Sequence, residues 1–139
     1  MQFEHSNDAF VLRLETGEEL VETLTKFLAE NSIYSGIISG IGAASDITLN
    51  YFNMETKEYE DRTFPDDYEI LSLTGNISLK DDIPFAHLHI TLGTKDFVCI
   101  GGHLKSAKVS ATCEVVIRKL EAKLDRRLDE RTGLYLLDL

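Results

Sequence analysis

Phe85-Ala86-His87-Leu88-His89-Ile90-Thr91-Leu92 runs through a short polar gap into Phe97-Val98-Cys99-Ile100-Gly101-Gly102-His103-Leu104, and the reading of this stretch decides the fold. Alternate residues of a strand share a face, about 6.6 Å apart along the chain. Ala86, Leu88, Ile90 and Leu92 therefore form one apolar side, and Phe85, His87, His89 and Thr91 form the other. The following run has its own apolar set in Val98, Ile100 and Leu104, with Gly102 among them. Superposing the two apolar sides predicts a hairpin closed by Thr94-Lys95-Asp96, with Asp96 taking the left-handed position. In that register Leu92 faces Val98, Ile90 faces Ile100, His87 faces His103, and His89 faces Gly101. A slip of one residue would turn a whole apolar set to water, so parity is strongly specified.

Three imidazoles then share one face. Directly opposed Cβ atoms lie about 5 Å apart, which lets both rings reach one ion. His87, His89 and His103 are therefore candidate metal ligands, three nitrogens with an open fourth position. Zinc fits such a set, and iron, nickel and manganese fit it too. The structural alternative is a polar face packed on another subunit or hydrogen-bonded to carboxylates. Cys99 has the same parity as His103 but sits about 13 Å along the strand, so it is expected as a small packed hydrophobe.

Working outward, Ala9–Leu14 reads as a strand. Thr16-Gly17-Glu18-Glu19 opens a helix, with Thr16 as N-cap and Glu19 completing a capping box. Leu20, Val21, Leu24, Phe27 and Leu28 make its apolar stripe, and Asn31 stops it. Strand-like runs follow at Ser35–Ile41, Ile47–Asn53, Tyr59–Phe64, Tyr68–Leu79, with Gly75 as a bend or bulge, and Val109–Leu120. One early amphipathic helix among successive strands implies an α+β fold with a mainly antiparallel sheet.

The chain has 139 residues, which is one domain. Its 14 basic and 24 acidic residues give a charge of −10, which counts against a large phosphate-binding footprint while leaving room for a small local one. Only Arg118–Arg131 has a basic excess, and its mixed signs read as a solvated face. Cys99 and Cys113 form neither a CxxC pair nor a disulfide framework, which places the chain in a reducing cytoplasm. No apolar run approaches the roughly 18 residues of a membrane span, and the N-terminal residues do not read as a signal peptide.

Other motifs carry less. Gly36, Gly40 and Gly42 do not spell GxGxxG before a helix, so tight turns or close packing explain them. Glu114 interrupts an apolar strand and is a candidate general base or partner of a histidine; an ion pair with Arg118 explains it equally well.

Five blocks occur in order: Ser39-Gly40-Ile41-Gly42-Ala43-Ala44-Ser45, Tyr68-Glu69-Ile70-Leu71-Ser72-Leu73-Thr74-Gly75, His87-Leu88-His89, Gly101-Gly102-His103-Leu104, and Thr112-Cys113-Glu114-Val115-Val116-Ile117. Together they resemble the PPC domain, the plant and prokaryote conserved domain, from about residue 9 to residue 120, leaving 121–139 as a C-terminal extension. The resemblance implies an α+β fold and a homotrimer. It also implies a DNA-binding label, which in plants accompanies AT-hooks. This chain has no Arg-Gly-Arg core, and Asp66-Asp67-Tyr68 stands where the plant pattern has Gly-Arg-Phe. Cupins also use an HxH pair, but they place a Glu four or five residues later, where this chain has Gly93 and Thr94.

The sequence thus predicts a cytoplasmic homotrimer that binds a divalent metal, and beside it a small molecule, through His87, His89 and His103. It leans toward a binding domain rather than an enzyme. As an enzyme it would use the metal to activate water or polarise a carbonyl, with Glu114 carrying protons. The alternatives are a DNA-binding, transcription-associated protein, whose contacts would fall in Arg118–Arg131, and a trimeric assembly module.

Overall fold

The computed structural model describes residues 1–139, and two strands far longer than the rest organise it. In chain order the elements are β1 (Gln2–Ser6), β2 (Ala9–Glu15), α1 (Leu20–Glu30), β3 (Gly36–Asn53), β4 (Glu58–Phe64), β5 (Tyr68–Lys80), β6 (Ile83–Gly93), β7 (Cys99–Lys119), β8 (Asp125–Asp129) and β9 (Leu134–Asp138). Ser35–Ile41 and Ile47–Asn53, expected as separate strands, are one 18-residue strand. The two runs between Phe97 and Leu120 likewise merge into the 21-residue β7. Register shifts in the β3–β7 ladder between Gly42 and Leu49 let these strands bend without breaking. With a single 11-residue helix, the chain is mainly β, and the helical part of the α+β expectation reduces to α1.

All ladders are antiparallel except the contact of Leu79 with Asp125. β3 pairs with β5, β5 with β6, β6 with β7, and β7 with β3, so the pairings close on themselves. Gly75 pairs in register with Leu88 rather than bulging; the nearest irregularity lies between Ile70 and Ser72. Its role is close approach, because a Cβ there would lie 2.1 Å from the His87 carbonyl oxygen. Gly42 is alike, with Thr112 O 2.2 Å from a Cβ. The glycines of β3 thus serve close packing, as their spacing suggested.

The core takes the apolar faces of β2, β3, β5, β6 and β7, and α1 packs against β6 and β7. Leu20, Leu24, Phe27 and Leu28 are buried as the periodicity required, each contributing about 1.5–3 kcal/mol. The helix starts one turn later than expected, however. Glu19 is the N-cap, accepting from Glu22 N at 2.5 Å and also from Ala107 N at 2.8 Å. Thr16 instead donates its hydroxyl to Ala111 O. The link to Ala107 explains the shift, since it ties the cap to β7. Asn31 ends the helix, its side-chain amide donating to Phe27 O.

Candidate metal centre

The hairpin that carries the histidines forms between β6 and β7. Its loop is Thr94–Val98, two residues longer than the one expected. Thr94 builds it: its N–H donates to Val98 O, its carbonyl accepts from Phe97 N, and its hydroxyl accepts from Asp96 N and Val98 N. Phe97, not Asp96, takes the left-handed conformation (φ 60°). The partner strand therefore slides by two. His89 faces His103, Ile90 faces Gly102, Thr91 faces Gly101 and Leu92 faces Ile100. A slide of two preserves parity, so the faces stand as read while the paired histidine changes from His87 to His89.

His87, His89 and His103 converge. Their ring centroids are 5.2, 5.0 and 5.4 Å apart, and one nitrogen from each lies within 4.8 Å of the others. Ligands about 2.0–2.1 Å from a tetrahedral zinc sit roughly 3.3 Å apart, a difference that ring rotation closes. Two of the donors, His87 and His103, are also held toward the neutral form. Burial, then the charges of His103, Arg126 and His89, push the His87 imidazole down to about 4. Burial, His89 and Arg126 push His103 down as well. A neutral imidazole offers a lone pair to a metal; a protonated one does not. Asn50 stands opposite His103, and its Oδ1 is a buried acceptor with no hydrogen-bond partner. The residues present therefore fit a divalent cation.

The remaining expected residues lie elsewhere. Glu114 is exposed on β7, paired across strands with Arg13 and Ile41. Glu114 lies eleven residues beyond His103 on β7, in the stretch paired with β2, so the chain does not bring it to the histidines. Its ion pair with Arg118 is also absent, Arg118 instead approaching Asp8 at 3.8 Å. Cys99 is exposed rather than packed, because it is the first residue after the loop.

Sequence reading missed one functional residue, Arg126. It lies on β8, in a C-terminal hairpin with β9 that was expected as a solvated face. Its Nε donates to Ser78 Oγ at 2.8 Å and its Nη2 to Asn76 Oδ1 at 2.8 Å, while Nη2 lies 3.4 Å from His87 Nδ1. Its Nη1 donates to Tyr135 O. The β8–β9 hairpin thereby covers His87 and encloses a cavity of about 210 Å³ lined by Tyr59, Lys80, Phe85, His87, His103, Arg126, Tyr135 and neighbouring residues of β9. Any signal for this would have been the alternation of Arg126 and Leu128 before Gly133.

The family model of the Plants and Prokaryotes Conserved domain matches residues 1–121. A crystal structure from Bacteroides thetaiotaomicron, named as a candidate DNA-binding protein, superposes with a TM-score of 0.96 at 36% identity, covering 99% of this chain and 96% of that one. A metal-containing protein from Archaeoglobus fulgidus gives 0.89 at 41% identity, covering 99% and 97%. A plant- and prokaryote-conserved protein from Pyrococcus horikoshii gives 0.88 at 33% identity, covering 99% and 95%. No curated protein matches. No helix is long and apolar enough to cross a membrane.

Proposed function

The chain belongs to the Plants and Prokaryotes Conserved domain family, and from that premise we propose that it is a homotrimeric domain binding one divalent cation through His87, His89 and His103. The convergence of the three donor nitrogens within 4.8 Å carries this reading, and the name of the Archaeoglobus relative agrees with it. Zinc suits the all-nitrogen set. When bound, the ion would supply a Lewis-acid centre; the chain's own residues hold it, exclude solvent on the Arg126 side and leave the cavity as the approach.

Self-association is supported by the outer face of β2, β7, β3 and β5. There Val11, Ile37, Ile41, Leu71 and Val116 are exposed together, an apolar surface of the kind that marks an interface. Glu114 sits in that same face. Any proton-carrying role for it requires a second copy to present it to a metal site.

Duplex DNA is the alternative, suggested by the Bacteroides name. The basic segment weighs against it. Arg126 points into the cavity, while Arg118, Lys123 and Arg127 approach Asp8, Asp125 and Asp138.

Metal analysis of untagged protein purified without chelator tests the proposal. The expected result is one ion per chain, lost in His87→Ala and His103→Ala, with a solution mass three times the 15.6 kDa chain. Metal-free protein that takes up none on titration refutes it. Retardation of duplex DNA that weakens steeply with salt would favour the alternative.

A further inference from the structure

The cavity beside the histidines is cationic in an acidic protein. Lys80 and Arg126 line it, and no Asp or Glu does. Each acid-free cation has a distinct reason to be there. Arg126 is held by neutral acceptors, Ser78, Asn76 and Tyr135, so its charge is fixed in place and not neutralised. Lys80 makes no ion pair; its Nζ stands 4.1 Å from the centre of the Tyr135 ring and 5.9 Å from that of Phe85. Cations held on aromatic faces remain available to an anion.

Charge balance sharpens this. On the metal-binding reading above, a divalent ion on three neutral imidazoles would sit next to two further positive charges. Such a site is balanced only by an anionic ligand, because uncompensated charge in a partly buried cavity is costly. The walls limit the ligand's other end. Phe85, Tyr135, Leu134 and Leu136 give an apolar lining. The volume of about 210 Å³ exceeds the roughly 150 Å³ that accommodates benzene in an engineered cavity.

We propose that this cavity binds a small organic carboxylate with an apolar body, its carboxylate lying between the metal and the Lys80 and Arg126 side chains. Arg126 and the hairpin that carries it form the wall, and Lys80 supplies the free donor. The proposal assigns the C-terminal hairpin a binding role, although residues 122–139 lie beyond the part of the chain that the family model matches.

Calorimetric titration of the full-length chain, zinc-loaded and metal-free, with benzoate, benzamide and inorganic phosphate tests it. Benzoate should bind the loaded protein, with benzamide, its neutral analogue, at least about tenfold weaker. Lys80→Met should weaken benzoate about tenfold while leaving zinc content unchanged, and Arg126→Gln, which removes the other cation, should weaken benzoate by a similar factor. Equal binding of benzoate and benzamide, phosphate binding more tightly than benzoate, or unaltered benzoate binding by Lys80→Met would overturn it. Should the protein take up no zinc, the metal reading fails by itself. Benzoate binding by the metal-free chain, abolished in Lys80→Met, would then still support the anion cavity, and its absence would end it.

Discussion

Acidifying the metal-free protein should destabilise it through His87, by an amount its surroundings determine. In the folded chain, burial and the charges of His103, Arg126 and His89 hold this ring down at about 4, against 6.5 for an unhindered imidazole. Between those two values the unfolded chain takes up a proton that the folded one refuses. Stability is therefore complete above about pH 6.5, falls as pH drops below it, and levels off below about pH 4. A gap of that size corresponds to about 3.4 kcal/mol at full strength. His87 is only half-buried, and solvent screening reduces the expectation to about 2 kcal/mol. The assay is urea unfolding of chelator-treated wild type and His87→Gln at pH 7.5 and pH 4.5. Carboxylates elsewhere respond to acid in both proteins, and the difference between the two isolates the ring. Wild type should lose about 2 kcal/mol more than the variant over this interval. Equal losses would refute the reasoning, because His87 would then be as free to protonate in the fold as out of it.

Three further outcomes are expected. Gly75→Ala should cost about 3 kcal/mol in denaturant unfolding and weaken metal uptake, because the new methyl would press on the His87 carbonyl and part β5 from β6 beneath the site. Glu19→Ala should cost about 1–2 kcal/mol, since one carboxylate both caps α1 and accepts from Ala107 N. A thiol reagent should modify the exposed Cys99 at once and Cys113 only on unfolding. Cys113 is fully buried, and burial pushes its thiol up to about 11.

The histidine face could be read in the sequence because it depends only on parity. Leu88, Ile90 and Leu92 must all be buried, and that forces His87 and His89 to the other side. The register could not be read so well. It depends on where the loop closes, and a bulky Phe97 in the left-handed region has no sequence signal, being an uncommon choice there. The long strands were hidden for a related reason: the stretch between Ile41 and Ile47 shows no strand alternation, yet ladder irregularities carry β3 through it. Arg126 was hidden more deeply. Its meaning comes from Ser78 and Asn76, 48 and 50 residues away, and mixed charge looks like solvent-facing surface until such a partner is known.

The double pairing of β7 also dictates when this protein can become folded. Its far end meets β2 and β3 through Ala9 with Arg118 and Gly36 with Lys119. A ribosome adds about 5–20 residues per second, so the start of the chain waits roughly 6–24 s for its partner to be made. During that interval Leu12, Leu14 and Phe27, all buried in the finished sheet, have no β7 to cover them. Nascent chains stalled near residue 110 should therefore be protease-sensitive from their first strand onward, and resistance should appear abruptly once residue 119 has emerged. His87, His89 and His103, though all translated by residue 103, come together on a sheet that is only then being completed.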